Sequence, residues 1–125
     1  MQWEGNIERN IGAIVRGKGD EPSVGFWSYV DLYDLAQAMR LAAECDLPGH
    51  EAFYIAQPDN SAGLPLADLL ERHHGDAIPL RELPRPDASS ITCAKAERML
   101  GWKATRSWRD YLDGDGRLTV PIPER

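Results

Sequence analysis

A glycine-rich turn is the first feature of this chain that could carry chemistry. The letters GKG at residues 17–19 follow the apolar run IGAIV, and a turn of this kind between a strand and a helix can hold a pyrophosphate. The third glycine position holds Pro22, however, and Asp20 and Glu21 would repel a pyrophosphate. No acidic residue ends a second strand about 20 residues further on, so the sequence predicts an ordinary loop.

Three other patterns could suggest a metal site or a hydrolase. His73 and His74 are adjacent, so on a helix they point about 100° apart and cannot share one metal ion. The acidic repeat DGDG at residues 113–116 would place Tyr111 and Ile122 at ligand positions of a calcium loop that need oxygen-rich side chains. The nucleophile motif G-x-S-x-G is absent. The sequence therefore predicts neither a metal site nor a serine hydrolase.

The overall composition bounds the class of protein. The chain has 125 residues, enough for one domain, with 42% hydrophobic and 27% charged residues. Its net charge of -6 disfavours binding to nucleic acids or to anionic membranes. No apolar run approaches the roughly 20 residues of a membrane span, and residues 1–10 lack a signal peptide. We expect a cytoplasmic protein in which Cys45 and Cys93 are reduced thiols.

Four helices are predicted from spacing and capping residues. Asp31 is suited to cap a helix that ends before Pro48, with Asp34 in its first turn and an inner face formed by apolar residues. That face would consist of Leu32, Leu35, Ala36, Met39 and Ala43. The other predicted helices span residues 65–74 (inward Leu66, Leu69 and Leu70, closed by Gly75), residues 93–100 (capped by Thr92, ended by Gly101) and residues 108–112 (capped by Ser107).

Short strands are predicted between these helices. Residues 26–30, 51–56 and 78–83 are rich in residues that favour strands, and residues 11–15 could form another. The alternation of strands and helices predicts an α/β fold, or an α+β-like fragment with a thin sheet. We divide the chain into a weakly patterned segment (residues 1–25), one domain (residues 26–112) and a flexible tail (residues 113–125).

Three segments together resemble a known enzyme family. The sequence FWSYVDLYDLAQA (residues 26–38) resembles the strand-to-helix segment of extended short-chain dehydrogenases/reductases, the NAD-dependent epimerase/dehydratase proteins. Residues 44–57 resemble the family's next strand, and SITCAKAERMLGW (residues 90–102) is similar to its late helix. The segments occur in the family's order. The resemblance implies the C-terminal substrate lobe of an extended Rossmann-type dehydrogenase, and an NAD(P)-linked oxidoreduction or epimerisation for the parent enzyme.

The catalytic parts of that family are missing from this chain. The family's chemistry uses a tyrosine four residues before a lysine, which lowers the pKa of the phenol. The four tyrosines, Tyr29, Tyr33, Tyr54 and Tyr111, are followed at that spacing by Tyr33, Gln37, Pro58 and Asp115. We therefore predict no catalytic residue, no bound NAD or NADP and no metal in this chain alone. Asp31 and Asp34 are interpreted as helix-capping residues.

The resemblance also assigns candidate substrate-binding residues. These are Trp27, Tyr29, Arg81 and Arg85, which would line or close a substrate cleft. Nucleotide-sugar epimerases often carry a diphosphate-binding arginine at the position of Trp27, so a nucleotide-sugar substrate is in doubt. Arg81 and Arg85 are interpreted first as solvated surface residues, with substrate contact as the alternative.

Two functions follow. The first is the C-terminal substrate-binding portion of an NAD(P)-dependent epimerase/dehydratase-type oxidoreductase, inactive alone, with the missing nucleotide-binding half as its partner. The second is a standalone binding or dimerisation module derived from that lobe, which would expose an apolar patch around Trp27, Tyr29 and Trp102. A third possibility is that residues 1–25 are an out-of-frame or remnant start of the chain.

Overall fold

The described part of the chain is built around three α-helices. The computed structural model describes Ile11 and residues 20–119. Within these residues the helices are α1 (Leu32–Glu44), α2 (Leu66–His74) and α3 (Ala94–Leu100). Two 3-10 turns, Gly75–Ala77 and Trp108–Tyr111, complete the regular structure. Helices α1 and α3 pack against each other.

The predicted positions of α1, α2 and α3 are confirmed, but the predicted Thr92 cap of α3 is wrong, because Cys93 is the N-cap and makes no side-chain capping hydrogen bond. The Asp31 carboxylate accepts a hydrogen bond from the Tyr33 amide at the start of α1. Gly101 ends α3 in the left-handed conformation that glycine adopts without strain. Ser107 and Asp110 form a reciprocal capping box. The last predicted helix starts where expected but is a 3-10 turn.

The predicted inner face of α1 is wrong. Met39 is 67% exposed, and Ala36 and Ala43 are also exposed. The face that turns inward carries Asp34 and Ala38, followed at helical spacing by Leu41 and Cys45. Counting apolar residues selected the wrong face of α1, because the buried carboxylate of Asp34 lies on the face that turns inward.

The predicted α/β fold is also wrong. No strand or sheet occurs among the described residues, which contain only two isolated antiparallel bridges, Asp59 with Ala88 and Leu112 with Leu118. Phe26 and Trp27 have positive φ angles of 49° and 60°, so the chain turns where an extended strand was expected.

The three segments predicted as strands lack a continuous ladder of backbone hydrogen bonds. The backbone hydrogen bonds between residues 26–30 and the following segment are two, in which the Gln57 and Ser61 amides donate to the carbonyls of Tyr29 and Trp27. Near residues 51–56, side chains replace strand partners: the Lys95 ammonium donates to the Ala52 carbonyl. Residues 78–83 make no backbone hydrogen bond to another described residue. Strand-forming composition alone cannot create a sheet without a neighbouring strand.

Among the described residues, three small apolar clusters take the place of a single core. One contains Ile11, Trp108 and Tyr111, the second contains Trp27 with the three buried leucines of α2, and the third contains Ala38, Ala96, Leu100 and Trp102. The inward positions of Leu66, Leu69 and Leu70 are confirmed. The indole N–H groups of two cluster residues are paired with buried backbone, because Trp102 and Trp108 donate to the carbonyls of Asp34 and Asn60.

Several predictions fall outside the described residues. These are most of the strand predicted at residues 11–15, the GKG turn at residues 17–19 and the end of the tail. Among the residues that the structure describes, no helix has the length and apolar character needed to cross a bilayer.

Candidate ligand-binding groove

An open groove of about 1100 Å³ is a concave feature of the described chain. Its walls come from residues 24–26, the loop at residues 78–84, residues 88–94 and residues 102–104. Leu66 and Leu70 of α2 also face it. Small-molecule sites commonly occupy about 300–1,000 Å³, so the groove is large enough for a drug-sized ligand.

The groove wall is mainly apolar. Its large apolar side chains include Leu66, Leu70, Ile78, Leu80, Leu83 and Ile91. Phe26, at the left-handed turn of Phe26 and Trp27, joins them. Both aromatic side chains pack against the leucines of α2, but Trp27 is buried whereas the partly buried Phe26 also lies at the groove.

Charged side chains of both signs lie on the groove wall. Arg81 and Lys103 are positive, and Glu82 and Glu97 are negative. None of the four forms an ion pair with another described residue. Because the two positive side chains are matched in number by two negative ones, the wall carries no excess charge of either sign.

Serine hydroxyl groups meet beside one part of the groove. The Ser28 hydroxyl lies 3.1 Å from that of Ser89 and 2.8 Å from that of Ser90. Ser89 and Ser90 belong to the groove wall, and Ser89 also accepts a hydrogen bond from the Ile91 amide. This cluster brings three hydroxyl groups together beside the groove wall.

Cys93 lies on the groove wall but is not suited to act as a nucleophile. Its thiol is held between the amide and the carbonyl of Ala56, at 3.2 and 3.4 Å. Burial raises the pKa of the Cys93 thiol, which disfavours the reactive thiolate. Cys45 donates to the Met99 carbonyl, and both cysteines are free.

The buried carboxylates outside the groove serve the fold. Asp34 accepts hydrogen bonds from Gln57, from the hydroxyl and amide of Thr105 and from the Arg106 amide. Asp31 accepts from the Tyr111 hydroxyl as well as from the amide that it caps. With these partners, neither carboxylate is arranged as a general acid or base facing the groove.

A second polar cluster surrounds Asp59. Its carboxylate accepts from the hydroxyls of Tyr29 and Ser107, at 2.7 and 2.8 Å, and pairs with Arg109. Burial is the largest cause that raises the pKa of Tyr29. The hydrogen bond to Asp59 and the negative charge of Asp59 raise this pKa further, whereas the hydrogen bonds with Ser107 and with the Trp108 amide lower it. Tyr29 is therefore a neutral phenol that holds the fold together. Asp59 was missed in the sequence, where only a turn after it was predicted.

The structure separates the four predicted substrate-binding residues. Arg81 lies on the groove wall, whereas Arg85 forms a two-bond ion pair with Asp87. Trp27 is only 2% exposed and donates its indole N–H to the Glu21 carbonyl. Tyr29 belongs to the Asp59 cluster. Only Arg81 of the four lies on the groove as the structure describes it.

Sequence reasoning missed most of the groove residues. Ser89 and Ser90 stand just before α3, and their only sequence signal was a pair of hydroxyl side chains beside a predicted cap. Their approach to Ser28 joins residues 61 and 62 positions apart, which no local pattern reveals. No group of three or more potential metal ligands occurs in the described part of the chain.

Comparisons with protein-family models, with curated proteins and with solved structures give no match for this chain. Its functional interpretation therefore depends on its own residues and on the geometry of the groove.

Proposed function

We propose that the chain is the substrate-binding portion of an NAD(P)-dependent epimerase/dehydratase-type oxidoreductase, and that it binds a small molecule in the groove without transforming it. One observation carries the proposal. Each of the three segments that carry the family resemblance contributes to the same groove wall: residue 26 from the first, residues 56 and 57 from the second, and residues 90–94 from the third. A shared wall is what a substrate-binding role requires of these segments.

Direct hydrogen bonds between the same segments strengthen this argument. The Gln57 amide donates to the Tyr29 carbonyl, and the Gln57 side chain donates to Asp34. The Ala56 amide donates to the Cys93 thiol, which connects the second segment to the third. The resembling segments thus form one packed unit with a groove at its surface.

The described helix N-termini give no support for a nicotinamide dinucleotide bound to this chain. A pyrophosphate needs a helix N-terminus with free amides and no competing negative charge. The first turns of α1, α2 and α3 carry Asp34, Asp68 and Glu97, respectively. We therefore assign no cofactor contact to these residues, and a nucleotide-binding half would have to provide the reaction chemistry.

The alternative function, a standalone binding or dimerisation module, has less support. The apolar patch predicted for it is not exposed, because Trp27 and Trp102 are 2% and 1% exposed and Tyr29 is half-buried. Tyr54 is 73% exposed but lies elsewhere on the chain. Sedimentation of the purified protein as a monomer would count against self-association.

A ligand screen with a groove-blocking variant tests the proposed function. We would screen alcohols, ketones, carboxylic acids and nucleotide sugars against the ¹⁵N-labelled 125-residue chain, and follow amide shifts by NMR. Ala94→Phe puts a ring into the groove wall, and Ala67→Phe, exposed on α2 and away from the wall, is the matched control.

The expected result is saturable binding that shifts groove amides, is weakened at least tenfold by Ala94→Phe and is unchanged by Ala67→Phe. NADH and NADPH should not be oxidised by the chain alone. Absence of any groove ligand from the screen, or steady NAD(P)H oxidation by the purified chain, would contradict the proposal.

A further inference from the structure

We propose that the groove selects an uncharged ligand with an apolar body and a hydroxyl or carbonyl oxygen, which the serine cluster binds. This inference rests on the proposed function, since it names the class of molecule that the same groove binds. Three features of the wall carry it: the apolar surface, the balance of charges and the unused hydrogen-bonding capacity of the serines.

The apolar surface determines the body of the ligand. Leucine and isoleucine side chains approach the groove from α2, from the loop at residues 78–84 and from Ile91, with Phe26 from the preceding turn. Leu80 is 43% exposed, so part of this apolar surface is still in contact with water. A ligand that covers these side chains gains binding free energy from the apolar area that it removes from water.

The charges on the wall disfavour an anionic ligand. A diphosphate or carboxylate is usually held by an arginine fork or by an excess of positive charge. Here Arg81 is followed directly by Glu82, and Lys103 shares the wall with Glu97. Two positive and two negative side chains give no net attraction for an anion. An anion would also lose its hydration in an apolar groove, which costs binding free energy.

The serine cluster determines the polar end. Three hydroxyl groups have three protons, and the two contacts made by Ser28 use only two of them. When the three O–H groups point head to tail, the remaining proton belongs to Ser89 or Ser90, which both line the groove. The cluster can therefore donate one hydrogen bond to a ligand carbonyl, and its unused lone pairs can accept one from a ligand hydroxyl.

Four probes with different head groups test this inference. The probes are 1-octanol, 2-octanone, octanoate and UDP-glucose, each titrated into the ¹⁵N-labelled full chain. Octanol and octanone should shift amides of residues 88–94 and of α2, and octanoate should bind at least fivefold more weakly. UDP-glucose should leave these amides unchanged. Ser90→Ala should weaken octanone binding about fivefold, the effect of one neutral hydrogen bond.

Ser61→Ala is the control, because Ser61 lies away from the groove wall. This variant should bind octanone with the same affinity as the wild type. Binding of UDP-glucose or octanoate in the groove more tightly than octanol would overturn the ligand class and leave the proposed function intact. Equal affinity in Ser90→Ala and wild type would overturn the role of the serines. If none of the four probes shifts groove amides, the inference is wrong, and the wider screen then decides the proposed function separately.

Discussion

Replacing Asp34 with alanine should destabilise this protein far more than removing a typical acidic residue from a helix N-terminus. Asp34 is 3% exposed, and its carboxylate accepts four hydrogen bonds. Those from Thr105 measure 3.0 Å for the amide and 2.7 Å for the hydroxyl, and that from the Arg106 amide measures 3.0 Å. The substitution therefore removes the group that joins α1 to residues 105 and 106.

The expected magnitude follows from these bonds. A hydrogen bond to a charged group contributes about 1.5–3 kcal/mol, and a buried donor left without a partner costs about 1–3 kcal/mol. Thr105 and Arg106 are exposed enough for water to satisfy part of their lost bonding, whereas Gln57 is fully buried. We therefore expect Asp34→Ala to lower the free energy of unfolding by about 3–5 kcal/mol. Asp34→Asn should restore part of it, because the amide oxygen can accept from the three N–H donors while the amide N–H₂ donates to the Thr105 hydroxyl, although the negative charge is lost.

Urea unfolding followed by tryptophan fluorescence measures this loss, since Trp102 donates to the Asp34 carbonyl. Asp68→Ala is the matched control: it also lies in the first turn of a helix, but it is exposed. It should cost at most about 1 kcal/mol, the usual helix-dipole contribution. Equal losses for Asp34→Ala and Asp68→Ala would refute the claim that the buried carboxylate holds the two parts together.

Two further perturbations test particular contacts. Because burial first of all raises the pKa of Tyr29, its neutral form contributes stability that is complete below pH 10.0 and is lost above it, by up to about 1.4 kcal/mol per pH unit. Urea unfolding from pH 7 to 11 should therefore show a weaker alkaline loss for Tyr29→Phe, and parallel curves would contradict this. Gly63→Ala should cost about 1–3 kcal/mol more than Gly49→Ala, because both glycines have positive φ but only at Gly63 would the new Cβ lie 2.9 Å from Trp108. Thermal or urea unfolding of both variants measures the difference, and equal losses would show that Trp108 moves aside freely.

The candidate groove shows which of its residues could be predicted from local sequence and which could not. Arg81 was predicted as a substrate-binding residue and lies on the groove wall. Tyr29 and Trp27 were selected by the same resemblance, yet their hydrogen bonds to Asp59 and to the Glu21 carbonyl bind them into the fold. A residue type shows what chemistry a side chain could do, but its long-range partners determine whether it is free to do it.

The sequence by itself determined the helices of this protein. Asp31 and Ser107 as caps, Gly75 and Gly101 as helix ends and the leucine spacing of α2 all act within a few residues, so they can be read locally. Only the tertiary structure decided that residues 26–30 and 51–56 form no sheet, that α1 turns Asp34 inward and that the serines meet. The reason is physical: caps and helix spacing depend on neighbouring residues, whereas ladders and buried polar contacts need partners that lie tens of residues away.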